Sequence, residues 1–170
     1  MKPLRIASFE VYDEGKNLVG VADVELPELN YMSDTIKGAG IAGEIDMPTI
    51  GQYGSMELKV NFTSVTDAFH KLASPGTKSI ECWAAQQTYD EGTGKDVIQR
   101  VVVAARGNIK TASLGKLSVG EATGSSLSME ILRLKIEIDD SEVVLIDKMN
   151  KVARFDGQDM LEAVRRAVGM

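Results

Sequence analysis

The sequence predicts a mainly β protein, an antiparallel β-sandwich or barrel-like subunit with long hairpins, one short flanking helix and a C-terminal helix. Apolar and polar residues alternate in several stretches, and clusters of Gly, Asp and Asn separate these stretches as hairpin turns do. The 170 residues are 44% hydrophobic and 26% charged, which is typical of a soluble chain with one sizeable core. We therefore expect a single domain spanning 1–170.

The first predicted hairpin has strands at 4–12 and 18–26, joined at 13–17 by residues that tolerate left-handed backbone. The next stretch, 27–54, contains Pro27, Pro48 and five glycines, and is predicted to be irregular. Alternation returns at 55–62 and predicts a strand with one buried face. That face carries Met56, Leu58, Val60 and Phe62, opposite Ser55, Glu57, Lys59 and Asn61.

A short helix is expected next, because Ser64 and Asp67 have the spacing of a capping box and an apolar stripe follows. Pro75 and Gly76 should end this helix, whose stripe should lie on a sheet. The stripe consists of Val65, Ala68, Phe69, Leu72 and Ala73.

Two further hairpins are predicted, the second with arms at 79–89 and 96–110 and the third with arms at 126–138 and 142–154. Acidic turns connect the arms, at 90–94 and at 139–141. Between the hairpins, 111–124 is rich in small residues and is interpreted as a linker or flexible loop. In the third hairpin Leu132, Leu134, Ile136 and Ile138 share one face, and Arg133, Lys135, Glu137 and Asp139 share the other, which should face water.

The C-terminal helix is predicted at 157–168, with Asp156 as a possible N-cap and Gly169 at its C-terminus. Arg165 and Arg166 suit the negative end of its dipole. Its apolar stripe consists of Met160, Leu161, Val164 and Val168.

Charge and composition disfavour several functional classes. A net charge of −6 disfavours a surface that grips nucleic acid, which needs clustered Lys and Arg. A single cysteine, Cys82, excludes an internal disulfide. No run of 18 apolar residues occurs, so neither an export signal nor a membrane span is expected.

The candidate chemical motifs all have simpler interpretations. The stretch 38–43 matches the G-x-G-x-x-G dinucleotide fingerprint, but neither a preceding parallel-type strand nor a following helix accompanies it. The single histidine, His70, lies opposite the apolar stripe of its helix, which favours a surface residue over a catalytic one. Cys82 is interpreted as a packing residue, and the acidic clusters as turn residues. The sequence thus predicts no catalytic residue, no metal site and no cofactor.

Assembly with copies of itself is the function that these features favour. Long hairpins with a charged face leave open strand edges, and a ring of identical subunits removes such edges. Two alternatives remain open: a soluble β-sandwich binding module that holds a small ligand or a protein on its charged sheet face, and a hydrolase that uses His70 or a pair of carboxylates.

Three segments resemble the major tail tube protein of contractile-tailed bacteriophages, a family shared with R-type bacteriocins. The first is 31–43 with its Gly-Ala-Gly signature, and the second is the acidic glycine turn at 89–94 followed by 101–107. The third and most specific comprises 142–152 and 156–170, ending in an Arg-Arg helix, a glycine and one apolar residue.

The resemblance implies a structural protein, not an enzyme, that forms hexameric rings stacked into a hollow tube. It implies that 31–50 contacts the neighbouring ring, that Arg133, Lys135, Glu137 and Asp139 are candidates to face the lumen, and that the C-terminal helix packs outside. The expected inter-ring residues are Tyr31, Met32, Ile36, Lys37, Gly38, Ala39, Gly40, Ile41 and Gly43. The expected C-terminal packing residues are Met160, Leu161, Val164, Arg165 and Arg166.

The resemblance also implies the partners and the location. Besides itself, the chain would contact a surrounding sheath protein, baseplate proteins and a tail terminator. In a phage, DNA would pass through the lumen without specific binding, and in a bacteriocin the tube would act as a needle that penetrates the bacterial envelope. The particle would be assembled in the cytoplasm of the bacterial host.

Overall fold

A computed structural model describes residues 1–14, 16–20 and 23–170, and strands dominate it. In chain order the elements are β1 (Lys2–Asp13), β2 (Leu18–Val19), β3 (Asp23–Glu25), β4 (Tyr31–Lys37), β5 (Glu44–Tyr53), β6 (Glu57–Asn61), α1 (Asp67–Ala73), β7 (Thr77–Asp90), β8 (Lys95–Ser113), β9 (Ser126–Ile138), β10 (Ser141–Asp147), β11 (Val152–Phe155), β12 (Gln158–Asp159) and α2 (Glu162–Ala167). The mainly β class with a short helix and a C-terminal helix is confirmed.

The strands form one large antiparallel sheet and one separate two-stranded ribbon. The large sheet has the order β12-β11-β10-β9-β8-β7-β1-β2, and β6 joins it beside β9 and carries β3 on its other edge. Strand β9 changes partner along its length, because 126–130 pair with β6 whereas 133–138 pair with β10. Within the described residues the end strands β12 and β2 do not pair, so this sheet is open.

The core is formed by the buried faces of β6 and of β7, β8 and β9 in the large sheet. Met56, Leu58, Val60 and Phe62 are all 2% exposed or less, so the predicted buried face of this strand is confirmed. From β7, β8 and β9 the main contributors are Ile80, Val103, Leu127, Met129, Ile131 and Leu134. Alternation of side chains across the pleat explains why the same strands present polar residues on their other side.

Helix α1 closes one end of the core and begins two residues later than the capping box indicated. Its N-cap is Thr66, whose Oγ1 accepts a hydrogen bond from Phe69 N at 3.3 Å. Phe69 and Leu72 are buried, and Phe69 packs edge-on against Phe62 with ring centroids 5.3 Å apart. The amphipathic helix was therefore predicted correctly, but Ser64 is not its cap.

The predicted hairpin turns are present at 91–94 and at Asp139–Asp140. Both of these aspartates have positive φ, 47° and 66°, as a tight two-residue hairpin turn requires. In the first hairpin, Lys16 N donates to Asp13 O at 2.9 Å. Residue 15 of that turn, and residues 21 and 22 of the second predicted strand, lie outside the described residues.

Five predicted boundaries were wrong. The arm at 18–26 is not one strand beside β1, because among its described residues only Leu18–Val19 pair with β1 and Asp23–Glu25 pair with β6. The stretch 27–54 is not irregular, because it contains β4 and β5; and 111–113, assigned to a linker, continue β8. The final arm at 142–154 is divided into β10 and β11 by a turn at 148–151. The C-terminal helix spans Glu162–Ala167 and not 157–168, because Asp156 and Gly157 both have positive φ and form the turn between β11 and β12.

Candidate assembly surfaces

The ribbon formed by β4 and β5 is the most distinctive surface of the chain. These strands pair with each other and with no other strand of the described residues. A two-stranded ribbon by itself is marginally stable in water. The nine predicted inter-ring residues all lie in β4 or in the loop 38–43 at the ribbon tip. Because this loop joins two antiparallel strands, its G-x-G-x-x-G pattern lacks the strand–helix context of a dinucleotide site.

The two faces of the ribbon differ in chemistry. On one face Ile36 lies opposite Ile45, and the next pair on that face sets Met47 opposite Asp34. On the other, Thr35 Oγ1 donates to Asp46 Oδ1 at 2.6 Å, and Lys37 pairs with Glu44 at 3.5 Å. The apolar side chains Met32, Ile36, Ile45 and Met47 are 45 to 55% exposed. The ribbon is thus amphipathic, and its own chain leaves the apolar face uncovered.

At its base the ribbon is fastened to the rest of the chain. The rings of Tyr31 and Tyr53 pack with centroids 5.2 Å apart, and burial raises the pKa of Tyr53, with a smaller contribution from Tyr31. Gly51, with φ 65°, lies against Leu161 so closely that a Cβ added there would lie 2.8 Å from Leu161 Cδ1 and nearer still to other atoms of that side chain. The C-terminal segment therefore supports the base of the ribbon.

The four predicted lumen-facing residues are not equivalent. Arg133 is exposed, whereas Lys135 and Glu137 are half-buried and form an ion pair at 2.5 Å. Asp139 belongs to the turn and not to the strand, and it accepts hydrogen bonds from Arg100 N at 2.9 Å and Gln99 Nε2 at 3.0 Å. Its carboxylate therefore holds the hairpin end in place.

The charged face extends from β9 onto β8, beyond the four predicted residues. Arg106 lies directly opposite Arg133, and Arg100 forms an ion pair with Asp140. The Arg100 guanidinium also lies 5.4 Å from the centroid of the Trp83 ring. These residues belong to the long strands β7 and β8, so the pairing of strands and not sequence proximity brings them together.

Helix α2 is anchored by two of its five predicted packing residues. Leu161 is 4% exposed, and Arg165 donates to Asp159 Oδ2 and to Lys151 O, both at 2.8 Å. The hydrogen bond from Arg165 lowers the pKa of Asp159. Met160 and Val164 are 46% and 39% exposed, and Arg166 reaches only Glu162 of its own helix, at 2.8 Å. Gly169 ends the helix with φ 77°, as predicted.

An apolar groove of about 620 Å³ lies beside β3 on the core side of the β7–β8 hairpin. Phe9, Val24, Leu26 and Val101 line it together with Cys82. The groove has no signal in the sequence, because its lining residues come from separate segments, in β1, in and just after β3, and in β7 and β8.

The residues that were weighed as catalytic or metal-binding candidates lie on the surface, in the core or in a turn. His70 is exposed on α1, and Cys82 is buried, which raises the pKa of its thiol to about 11. Asp90 accepts hydrogen bonds from Gly92 N at 3.0 Å and Thr93 Oγ1 at 2.8 Å, which closes its turn. In the described part of the chain, no three His, Cys, Asp or Glu side chains are grouped as metal ligands. Neither described helix has the length and apolar composition needed to cross a bilayer.

The fold is similar to that of components of contractile injection systems. It matches a chain in the PVC sheath/tube terminator of an extracellular contractile injection system with a TM-score of 0.56 at 13% identity, covering 81% of this chain and 98% of that one. A chain of the PVC sheath-tube complex matches with a TM-score of 0.54 at 12% identity, covering 79% and 91%. The chain thus has the fold of this class of assembly proteins.

Sequence comparison identifies the family. The chain is 28% identical over 171 residues to the tail tube protein of Escherichia phage P2, covering 99% of this chain and 98% of the relative. It is 20% identical to the major tail tube protein of Serratia phage KSP20, covering 93% and 91%. The family model of phage tail tube protein FII matches residues 3–169, so the chain belongs to that family and is a structural tail tube protein. The resemblance identified from the three segments is confirmed.

Proposed function

We propose that copies of this chain form hexameric rings that stack into the hollow inner tube of a contractile tail, without catalysing a reaction. The observation that carries the proposal is the amphipathic β4–β5 ribbon, whose apolar face and outer strand edges have no partner among the described residues. A soluble binding module with a ligand on its charged face would give this ribbon no role.

The ribbon supplies the contact between neighbouring rings. Met32, Ile36, Ile45 and Met47 are about half exposed, and burying the remainder of each contributes roughly 1 kcal/mol. One ribbon therefore contributes roughly 4 kcal/mol, repeated at every subunit around a ring. Gly38, Gly40 and Gly43 allow the tip to turn and let a partner backbone approach.

The charged sheet face lines the channel. Arg133, Lys135, Glu137 and Asp139 present both signs of charge, and Lys135 is already neutralised by Glu137. Because the chain as a whole carries a charge of −6, a passing polyanion meets little net attraction. DNA can then move through a phage tube without specific binding, and in a bacteriocin the same tube acts as a needle through the envelope.

The remaining partners lie outside and at the ends of the tube. The exposed side chains of Val164 and Arg166 on α2, and of Met160 just before it, pack on the outside of the ring or against a neighbouring subunit. The sheath surrounds the tube, and baseplate and terminator proteins hold its ends. Residues 1–170 act as one tube domain of a virion tail or bacteriocin particle that is assembled in the cytoplasm of the bacterial host.

The test compares two variants that add the same charge to opposite faces of the ribbon. Met47→Asp places a carboxylate on the apolar face, and Ser33→Asp places one on the polar face. We expect negative-stain images and sedimentation to show rings or tubes for the wild type and Ser33→Asp, and a loss of stacking for Met47→Asp. Tubes formed equally well by Met47→Asp would show that the ribbon is not the contact, and monomers from the wild type at high concentration would refute assembly altogether.

A further inference from the structure

The ribbon joins the body of the subunit through a short connection between β5 and β6, residues 54–56. Three polar residues meet there: Ser55 on the connection, Glu130 in β9 and Lys148 in the turn between β10 and β11. We propose that Glu130 and Lys148 form a clamp that fixes the direction in which the ribbon leaves the body. The role of this clamp in assembly rests on the proposed contact between the ribbon and the neighbouring ring.

The clamp holds both the backbone and the side chain of the connection. Lys148 Nζ donates to Gly54 O at 2.7 Å and lies 3.4 Å from Glu130 Oε1. Glu130 in turn accepts from Ser55 Oγ at 2.5 Å through Oε2 and from Met56 N at 3.3 Å through Oε1. The two charged side chains therefore hold three consecutive residues of the connection.

The turn that carries Lys148 is attached to β9 beside a β-bulge. The pairing of β8 with β9 passes from Arg106–Arg133 to Gly107–Ile131, which leaves Leu132 without a cross-strand partner in β8. The Leu132 carbonyl accepts a hydrogen bond from Lys148 N at 3.0 Å. The turn that carries Lys148 is thus attached to the same strand as Glu130, two residues away from it.

Apart from the clamp, one directional bond ties the connection to the body: Ile131 N donates to Met56 O at 2.8 Å, so the part that can pivot is the chain before Met56. Gly51 contacts Leu161 through an apolar side chain, and Tyr53 packs against the edge of the core. Such contacts are not directional, whereas charge-assisted hydrogen bonds fix an orientation. Loss of the clamp would therefore leave the ribbon attached but free to change its angle.

The length of the ribbon makes its angle important. Strand β4 runs the whole ribbon, from Tyr31 opposite Tyr53 to Lys37 opposite Glu44, and its seven residues at about 3.3 Å each make the ribbon about 23 Å long. A pivot of about 10° at the base moves the tip of such a lever by about 4 Å, close to the spacing between neighbouring strands. A surface on the next ring cannot be met accurately unless the base is fixed.

The test measures the ribbon angle directly. Spin labels are attached at Ala42→Cys in the ribbon tip and at Thr111→Cys in β8, and the doubly labelled chain is diluted into unlabelled chain so that distances within one subunit dominate. Buried Cys82 stays largely unmodified in the folded chain. The variants are Glu130→Gln, Lys148→Met and the milder Ser55→Ala. Glu142→Gln is the matched control, because it removes one partner of the Arg154–Glu142 ion pair, which has similar exposure but lies away from the ribbon base.

We expect the distance distribution of Glu130→Gln and Lys148→Met to broaden or shift by about 4 Å or more, with a smaller change for Ser55→Ala and none for Glu142→Gln. A wild-type distribution in the clamp variants, or equal broadening in Glu142→Gln, would overturn the proposal. Protection of β7 and β8 against hydrogen exchange identifies any variant that has not folded. If Glu130→Gln and Lys148→Met do not fold, the distance distribution of Ser55→Ala tests the clamp. If the distribution broadens while tubes form normally, the clamp stands and the proposed ribbon contact fails.

Discussion

Replacing Gly107 by alanine is expected to weaken the subunit more than any exposed substitution. Gly107 lies where β8 crosses the bulge in β9. A Cβ added to it would overlap the Glu130 carbonyl oxygen and lie 2.8 Å from the Glu130 carbonyl carbon and 3.0 Å from Ile131 Cα. All three are backbone atoms, so a side-chain rotation cannot relieve the overlap. The two strands must separate.

The loss of stability in Gly107→Ala follows from the contacts that are disturbed when β8 and β9 move apart. Restoring ordinary contact of about 3.5 Å with the Glu130 carbonyl oxygen requires a movement of about 1.5 Å. Two ladder hydrogen bonds beside the site are weakened, at about 1 kcal/mol each. Ile131 and Met129, both 1% exposed or less, are displaced within the core, which costs about 1–3 kcal/mol. The sum is about 3–5 kcal/mol, a large part of the stability of a typical domain.

Thermal denaturation at one fixed protein concentration measures this effect, because assembly would otherwise shift the midpoint. At about 2–4 °C per kcal/mol, we expect Tm to fall by about 6–20 °C. Gly92→Ala is the control, since its nearest neighbour would be a side-chain oxygen at an ordinary 3.5 Å. A Gly107→Ala chain that melts within about 2 °C of the wild type would refute the reasoning.

Three further outcomes are expected. Gly40→Val should reduce tube formation and leave the melting of the subunit unchanged, because Gly40 has φ 96° at the exposed ribbon tip; normal tubes would argue against the tip as a contact. Asp159→Asn should be less stable than the wild type at neutral pH, since Arg165 lowers the pKa of Asp159. That difference in stability should vanish as the pH falls below the usual Asp pKa of 3.8 and through the lowered pKa of Asp159. Denaturation curves that show the same difference in stability at every pH would contradict this. Cys82, whose pKa is raised to about 11, should react with iodoacetamide at pH 8 far more slowly in the folded chain than in denaturant, as mass spectrometry can measure.

Sequence patterns correctly predicted faces that are buried within this subunit and turns that are formed by local residues. The face with Met56 and Leu58 is buried as expected, and the turn at Asp139 and Asp140 lies where the pattern placed it. In both cases the physical cause is local, because side-chain alternation and left-handed turn residues act within a few positions of the chain.

The ribbon was not predicted, because its alternating apolar residues are not buried by the rest of this subunit. Ile36, Ile45 and Met47 alternate with polar residues as strand residues do, but the glycines of the tip and Pro48 indicated irregular backbone. Pro48 is tolerated because a ribbon has open edges, where a missing N–H group breaks no ladder. The C-terminal boundary failed for a related reason: Asp156 before Gly157 suits both a helix start and a tight hairpin turn, and only the partner strand β11 decides between them.

The bulge at Leu132 links the stability of the subunit to the geometry of its proposed contact. The strict alternation expected for β9 would place Leu132 beside Leu134 in the core, but the bulge places Ile131 there, fully buried. Beside the bulge the Leu132 carbonyl accepts a hydrogen bond from Lys148 N, which continues the β9–β10 ladder, and β8 approaches the Glu130 backbone closely at Gly107. A regular strand would pack the core equally well without positioning either residue of the clamp. We therefore expect repair of the bulge, by deletion of Leu132, to preserve the sheet and to release the ribbon.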